Sequence, residues 1–466
     1  MAGGPATGGL RRNANWRRLW AGQAVSLVGD FVFHTTVVLW IGTQIAGGRS
    51  WAPSAVAGAL IAIAVPILLV GPVAGVFVDR WDHRRTMLVA DLVRAGLSGA
   101  LLVLPLAGTR WPVGVQLTVV YAVLVLTSAT SQFFNPARFV VIASVVPEAD
   151  RARAFGVASA TASTAAVLGP PLAAPLLFAA GVHWALVVNA TSYLLSLVAV
   201  WLVRVPAAPP PDPGRQAGFR REFADGLRFF AGNRSLRVIA GAVCLYMFGV
   251  GAIHVLDVFF VTENLGADAG WLGTLTAALG IGSIVGALVA GRVTERFGAV
   301  RVFAGGLALT GLAVLAYSRC TSLPVAVAVL ALTGIPLSAV NVVVSPLVLR
   351  ATPRQLLGRV NAVLNPLVYL ASVLSMAVAG FLASTVLRDL DRTVAGLSFG
   401  PIDTVFAAAG TLMVLAGLLA YRPLVRAVAA DPPAGSGLTP GSPRPPQAPP
   451  PSPGPVDAPV AQGAHR

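Results

Sequence analysis

Two pairs of ionisable side chains lie inside long apolar runs of the chain. Asp30 and His34 are four residues apart, and His254 and Asp257 are three apart, so each pair shares one face of a helix. An ionisable group costs roughly 2.5–3.5 kcal/mol at the centre of a membrane helix, so such groups are rarely kept without a role. Histidine titrates near neutral pH. The sequence therefore indicates a carboxyl and an imidazole on one face that could exchange protons with water.

A structural role is the alternative for each of these side chains. Asp30 could cap or orient a helix pair, and His34, His254 and Asp257 could be packing residues that face polar neighbours. Asp30 is the only acid well inside the first run, and that run has no basic residue to pair with it. We therefore take Asp30 as the first candidate for a coupling residue. Arg138 lies at the end of the fourth run. It could contact the substrate, or it could instead form part of a gate or fix the orientation of its span.

The apolar runs that hold these residues recur along most of the chain. The 466 residues are 56% hydrophobic and only 11% charged, and many runs are long enough to cross a bilayer. We predict an all-α integral membrane protein with twelve spans in two pseudo-symmetric six-helix bundles. The predicted spans are 19–46, 53–78, 86–106, 112–135, 154–180, 184–203, 238–262, 271–293, 302–317, 324–349, 360–387 and 402–421.

The arginines predict the orientation, because they concentrate in alternate loops. The arginine-poor loops hold only Arg49, Arg110, Arg319, Arg388 and Arg392. An excess of basic residues marks the cytoplasmic side. We therefore predict a multi-pass protein of the plasma membrane with both termini cytoplasmic. The formal net charge of +15 comes from arginines in the arginine-rich loops and not from one soluble face. It therefore does not indicate a nucleic-acid partner.

The chain divides into five predicted segments. They are a cytoplasmic N-terminus 1–18, a six-helix bundle 19–203, a linker 204–237, a second bundle 238–421 and a Pro-rich cytoplasmic tail 422–466. In the linker, Phe219, Phe223, Leu227 and Phe230 recur at helical spacing, which predicts an amphipathic helix on the membrane surface. A solvated linker is the alternative. The composition of the tail predicts disorder.

A short motif occurs once in each half of the chain. GVFVDRWDHRR covers 75–85, and GRVTERFGAVR covers 291–301. Each copy lies where one apolar run ends and the next begins. The matched residues are Gly75 with Gly291, Asp79 with Glu295, Arg80 with Arg296, and Arg85 with Arg301. Internal duplication of this kind is typical of secondary transporters.

The first copy resembles the loop motif of the major facilitator superfamily of transporters. That motif is a glycine, three residues, Asp-Arg and then a basic cluster, here Gly75, Asp79, Arg80, Arg84 and Arg85. The resemblance covers about residues 11–426. It implies two six-helix halves that rock about a central cavity, with the repeated loop motif as a cytoplasmic gate.

Two further features are similar to the exporter branch that includes macrolide-efflux and enterobactin-exporter proteins. The first is the Asp-Arg-aromatic-Asp form at 79–82 followed by Asp91 and Arg94, which we interpret as structural partners of the loop motif. The second is AAVLGPPLAA at 165–174. Its Gly169 and Pro170 resemble the motif of antiporter-type exporters. A glycine there lets two helices approach closely, and the proline bends the helix.

The resemblance implies proton-coupled efflux of a small amphipathic molecule of the drug, secondary-metabolite or siderophore type. The expected partners of this monomer are its substrate, protons and the lipid bilayer. A lipid flippase or importer of the same fold is one alternative, and a membrane sensor or assembly partner that moves nothing is another. The sequence has no GK[ST] loop, HExxH, GxSxG or paired-Cys motif. We therefore predict that the protein is not an enzyme, does not use ATP directly and has no cofactor or metal.

Overall fold

The computed structural model describes residue 10 and residues 12–78, 80–107, 111–205, 227–353, 356–390, 392–394 and 397–430. Twelve helices in this part of the chain are long and apolar enough to cross a membrane, which confirms the predicted fold class. They are α1 Ala14–Ile45, α2 Ala52–Leu69, α3 His83–Ala107, α4 Val113–Val145, α5 Glu148–Ala180, α6 Val182–Trp201, α7 Arg234–Asn264, α8 Ala269–Phe297, α9 Ala299–Tyr317, α10 Leu323–Ala351, α11 Arg359–Val386 and α12 Pro401–Arg426.

Some boundaries differ from the predicted ones. The predicted span 53–78 is divided, because α2 ends at Leu69 and a separate short helix covers Gly71–Val78. Pro72 has no N–H to donate to the carbonyl four residues earlier, and its ring crowds that turn, which accounts for a break just before the short helix. By contrast, α4 continues through Pro136 to Val145, well beyond its predicted end. Neighbouring helices accommodate such a proline in a membrane.

A small hairpin was not predicted. Strands β1 Arg392–Val394 and β2 Leu397–Phe399 pair antiparallel between α11 and α12. Of the predicted amphipathic helix in the linker, Phe219 and Phe223 lie outside the described residues. Residues 227–232 are helical, and Phe230 packs into the core of the second half.

The two halves pack in the same way. In the first half, α6 packs on α1 and α3, α5 on α1, and α4 on α2 and α3. Adding six to each number gives the main contacts of the second half: α12 on α7 and α9, α11 on α7, and α10 on α8 and α9. Matched glycines form part of this pattern. Gly29 of α1 faces Ser192 of α6, and Gly249 of α7 faces Met413 of α12.

Within the described residues, the buried core joins the two halves at one end. At the arginine-poor end, a single apolar cluster takes residues from both halves, among them Ile41, Phe260 and Phe406. At the arginine-rich end, the described residues form two separate clusters, one around Phe134 and one around Phe303. The molecule is therefore closed at the arginine-poor end and open between its halves at the other.

Two helix pairs close the arginine-poor end, and we call their contacts the seam. The first pair is α2 and α11, where the Ser54 hydroxyl lies 3.1 Å from the Gly380 carbonyl oxygen and 3.0 Å from the Ser384 hydroxyl. The second pair is α5 and α8, where a Cβ on Gly273 would lie 2.6 Å from Cα of Pro171. Each pair joins one half to the other.

Four helices end in a π-helical turn at the arginine-poor end. These turns belong to α1, α5, α7 and α11, and they cover Ile41–Ile45, Leu176–Ala180, Phe260–Asn264 and Leu382–Val386. Helices α7 and α11 are the repeats of α1 and α5, so this irregularity is duplicated with the fold. Single π turns are frequent at functional sites.

Candidate functional site

Asp30 lies near the middle of α1, half-buried, and its partner comes from α6. The hydroxyl of Tyr193 donates a hydrogen bond to Asp30 Oδ1, and the Tyr193 side chain is only 1% exposed. A Cβ on the neighbouring Gly29 would lie 2.4 Å from Ser192 Oγ. The glycine therefore lets α1 approach α6 closely enough for the carboxyl and the phenol to meet.

A buried ion pair lies beside this carboxyl. Asp91 and Arg94 of α3 form it, with side chains 0% and 4% exposed. The Ser196 hydroxyl donates to the second Asp91 oxygen at 2.7 Å. The Arg94 guanidinium carbon lies 4.5 Å from the ring centre of Tyr193 and 4.2 Å from that of Phe134. From the sequence, we interpret this pair as structural partners of the loop motif. In the structure, the pair is buried inside the first half, beside Tyr193, which bonds to Asp30.

Hydrogen bonds continue from this ion pair to α4. Gln23 Nε2 donates to Ser196 Oγ at 3.0 Å, and Arg138 Nη1 donates to Gln23 Oε1 at 3.5 Å. The charge of Asp30 also acts on Arg94 and Arg138. We call this set the N-half network. Its members are Gln23, Asp30, Asp91, Arg94, Arg138, Tyr193 and Ser196.

The network holds two carboxyl groups and two guanidinium groups. Asp91 and Arg94 are fully enclosed, whereas Asp30 and Arg138 are half-buried. Helices α1, α3, α4 and α6 contribute its members, and α3 packs against both α4 and α6. The arrangement places one partly exposed carboxyl beside a buried, compensated ion pair.

A second carboxyl–tyrosine pair occurs in the other half. The Tyr317 hydroxyl of α9 donates to Asp257 Oδ1 of α7 at 2.8 Å. The Tyr317 ring centre lies 4.6 Å from that of Phe260 and 5.9 Å from that of Phe406, within the cluster that closes the arginine-poor end. Asp257 therefore lies closer to the closed end than Asp30 does.

The structure places the two histidines apart from these hydrogen bonds. His34 is half-buried beside Phe33, and it interacts with Asp30 through charge. His254 is exposed and makes no hydrogen bond to any residue that the structure describes. Each carboxyl bonds to a tyrosine on another helix and not to the histidine on its own. Sequence reasoning missed both tyrosines, although a phenol in an apolar run needs a partner.

The first copy of the loop motif is described except for Asp79, which lies outside the described residues. Arg84 donates from Nε to the Val200 carbonyl at 3.3 Å and also to the Trp201 carbonyl, so it ties α3 to the end of α6. The Arg85 N–H donates to Asp82 Oδ1 at 2.7 Å, which caps the start of α3. Arg80 is exposed.

The glycines of both loop copies have open space around them. A Cβ on Gly75 or on Gly291 would meet no atom within 4 Å. In the second copy, Glu295 and Arg296 are exposed, and the Arg296 guanidinium carbon lies 5.5 Å from the ring centre of Phe297. Both copies are at the open end of the molecule, so nothing in this conformation requires a glycine there.

The glycine–proline motif of α5 contacts two helices at once. A Cβ on Gly169 would lie 2.4 Å from Cβ of Phe31, the residue after Asp30. The Pro170 carbonyl oxygen would lie 3.1 Å from a Cβ on Gly273 of α8. The motif therefore packs α5 between the helix that carries Asp30 and a helix of the opposite half.

Loss of the Arg94 charge should destabilise the fold. Arg94→Met leaves Asp91 as an unpaired buried charge, which costs about 3–5 kcal/mol. We expect a clear fall in the thermal unfolding midpoint measured by scanning fluorimetry in detergent. The double variant Asp91→Leu with Arg94→Met should recover most of that fall. Arg80→Gln, which removes an exposed arginine, is the control, and an unchanged midpoint for Arg94→Met would contradict the buried pair.

Comparison with known proteins agrees with this architecture. Two similar six-helix halves that meet at one end in an apolar cluster are the architecture of a secondary transporter of the major facilitator type. The transmembrane secretion effector family matches residues 8–431, and the chain belongs to this family. Among the described residues, no three His, Cys, Asp or Glu side chains come together in a group that could hold a metal ion.

Several relatives are efflux proteins. The multidrug efflux pump Tap of Mycobacterium tuberculosis is 29% identical over 86% of this chain and 90% of its own length. Macrolide efflux protein A of Streptococcus pyogenes is 23% identical over 60% of this chain and 68% of its own. The crystal structure of a bacterial homologue of the human lysosomal transporter Spinster, inward-facing and unoccupied, matches with a TM-score of 0.64. It is 15% identical and covers 89% of this chain and 96% of its own.

Proposed function

We propose that this transporter exports a small amphipathic molecule across the plasma membrane in exchange for protons, by alternating access. The observation that carries the proposal is the half-buried Asp30 carboxyl, which is bonded to a buried tyrosine and lies beside a buried ion pair. In this proposal the arginine-rich end faces the cytoplasm, since basic loops are retained on that side. The conformation described above is then the one open to the cytoplasm.

Charge balance in the N-half network supports the coupling. With Asp30 ionised, its two carboxylates offset the guanidinium groups of Arg94 and Arg138. Protonation of Asp30 leaves a net positive charge, which disfavours a cationic substrate in the same cavity. An ionised Asp30 has the opposite effect and attracts such a substrate. Proton and substrate therefore exclude one another, which is the requirement for antiport.

The substrate class rests on the relatives and on the cavity. Macrolides and other drugs are named for two of the efflux relatives. The His254 imidazole of the second half is exposed, and Asp30 of the N-half network is half-buried. A molecule with an apolar body and a basic amine suits a cleft of this character.

The loop motif is the proposed cytoplasmic gate. When the arginine-rich end closes, the two halves must approach as closely there as they now do at the seam. Gly75 and Gly291, which have space around them here, would then permit close contact of their helices. Asp79 remains the proposed acceptor for arginines or helix ends in that closed arrangement.

Proton movement driven by substrate tests the proposal. The purified protein is reconstituted in liposomes that contain a trapped pH-sensitive dye, and a radiolabelled macrolide antibiotic is added outside. We expect macrolide uptake accompanied by alkalinisation of the lumen, beyond that of protein-free liposomes. Uptake by the protein without proton movement would contradict antiport. Acidification of the lumen during uptake would instead indicate proton-coupled import.

A further inference from the structure

The outer surface of the second half carries a groove between α9 and α12, at the arginine-rich end. Its volume is about 710 Å³. Small residues form its floor, and two arginines stand at its mouth. The residues used below are Arg301, Ala304, Gly305, Ala308, Gly417 and Arg422.

Close packing of small residues produces the groove. A Cβ on Gly417 of α12 would lie 2.4 Å from the Ala304 carbonyl oxygen and 3.1 Å from Cβ of Ala308. The two backbones are therefore almost in contact, and no long side chain fills the furrow above them. Exposed leucines flank it, with Leu418 at 62% and Leu419 at 66%. In a bilayer, this surface faces acyl chains.

The charge at the mouth of the groove is positive. Arg301 lies in the first turn of α9, and Arg422 lies near the end of α12, so both are at the membrane boundary. Both side chains are exposed, and neither forms an ion pair with a carboxylate that the structure describes. The groove lining contains no acid. Two guanidinium groups above an apolar furrow match the phosphate and the acyl chain of an anionic lipid.

The corresponding helices of the first half are α3 and α6. Arg84 lies at the same end, and its guanidinium donates to the carbonyl oxygens of Val200 and Trp201, at the end of α6. Arg85, the repeat of Arg301, is exposed. An exposed arginine at the start of the helix is therefore common to both halves.

We propose that the groove between α9 and α12 is a binding site for an anionic phospholipid. The phosphate binds Arg301 and Arg422, and an acyl chain lies along the furrow over Gly305 and Gly417. Tyr421, which is 39% exposed beside Arg422, lies at the level where tyrosine rings favour the membrane interface. A lipid bound here bridges α9 and α12 from outside and makes no contact with the N-half network.

Native mass spectrometry of the full protein tests this site. The protein is released from detergent after incubation with phosphatidylglycerol or with phosphatidylcholine, and retained lipid is counted. We expect one phosphatidylglycerol to be retained in preference to phosphatidylcholine. Arg301→Gln and Arg422→Gln should each lower its affinity about fivefold, the contribution of one basic residue near an anionic surface. The double variant should lower it about 25-fold.

Matched variants separate this site from a general charge effect. Arg237→Gln removes the same charge from the same end of the same half, outside the groove, and should retain the lipid like the parent. Arg301 is also the repeat of Arg85, but a role in the gate would not change lipid retention. Equal retention by the double variant, or equal retention of phosphatidylcholine, would overturn the proposal. Displacement of the lipid by the same concentration of glycerol phosphate would also overturn it, because the ligand would then be a free phosphate compound.

Discussion

Asp30→Asn is expected to abolish accumulation driven by a pH gradient and to leave the protein folded. The two side chains have the same shape, and the Asn oxygen can still accept the Tyr193 hydroxyl. The variant loses the group that exchanges a proton, and it keeps the network permanently in the charge state of a protonated Asp30, so substrate binding should weaken as well. In inverted vesicles, macrolide accumulation should fall to the level of vesicles without the protein. Exchange of labelled for unlabelled macrolide, which needs no proton, should partly remain.

Asp257→Asn is the matched control for this prediction, since it removes the other carboxyl that accepts from a tyrosine. Asp257 has no arginine in its hydrogen-bonded surroundings and lies in the cluster at the closed end. We expect it to retain accumulation. If Asp30→Asn accumulated substrate like the parent, Asp30 would be structural, and the proton carrier would have to be His34, His254 or Asp257.

Gly380→Val is expected to open the arginine-poor end and to stop transport. A Cβ on Gly380 would lie 2.7 Å from Cβ of Ala57 and 3.1 Å from the Pro53 carbonyl oxygen. A valine therefore cannot fit while α2 and α11 form the seam. Overpacking typically costs about 1–3 kcal/mol, which shifts a two-state equilibrium about 5- to 150-fold. The protein should then favour the state in which the seam is separated.

Cysteine labelling measures this shift. Cys244 and Cys320 are first replaced by serine, and Ser384, buried in the seam, is replaced by cysteine. A membrane-impermeant maleimide added from the arginine-poor side should react faster in Gly380→Val by the factor given above. Gly241→Val is the control, because a Cβ there meets no atom within 4 Å and Gly241 is not part of the loop motif. Unchanged labelling in Gly380→Val, or an equal increase in Gly241→Val, would show that the seam is not the closing contact.

The twelve spans could be predicted because they depend on local properties of the chain. Length and hydropathy decide whether a segment can cross a bilayer, and the helical period alone places Asp30 and His34 on one face. The duplicated loop was also readable, since its residues keep the same offsets. Boundaries were less accurate, and the break before Gly71 shows why. It depends on a single proline inside a run that is apolar throughout.

The partners of the carboxyl groups could not be predicted, because they come from distant parts of the chain. Tyr193 is 163 residues from Asp30, and nothing in the sequence states how α1 and α6 are rotated against each other. The surroundings of Asp91 and Arg94 also could not be predicted. Their spacing predicts an ion pair on one face of α3, but only the packing of the helices places this face against Tyr193. The side-chain chemistry was visible in the sequence, whereas the assembly of the network was not.

The π-helical turns have a mechanical consequence for the transport cycle. A π turn holds about one extra residue compared with an α-helical turn. When N–H groups change from one carbonyl acceptor to the next, the position of this extra residue shifts along the helix. Such a helix can rotate about its own axis below the turn while the chain above it stays fixed. The turns lie at the arginine-poor ends of α1 and α7 and of their partners α5 and α11. Torsion of the helices that carry Asp30 and His254 can therefore be absorbed there, without disturbing the loops that follow.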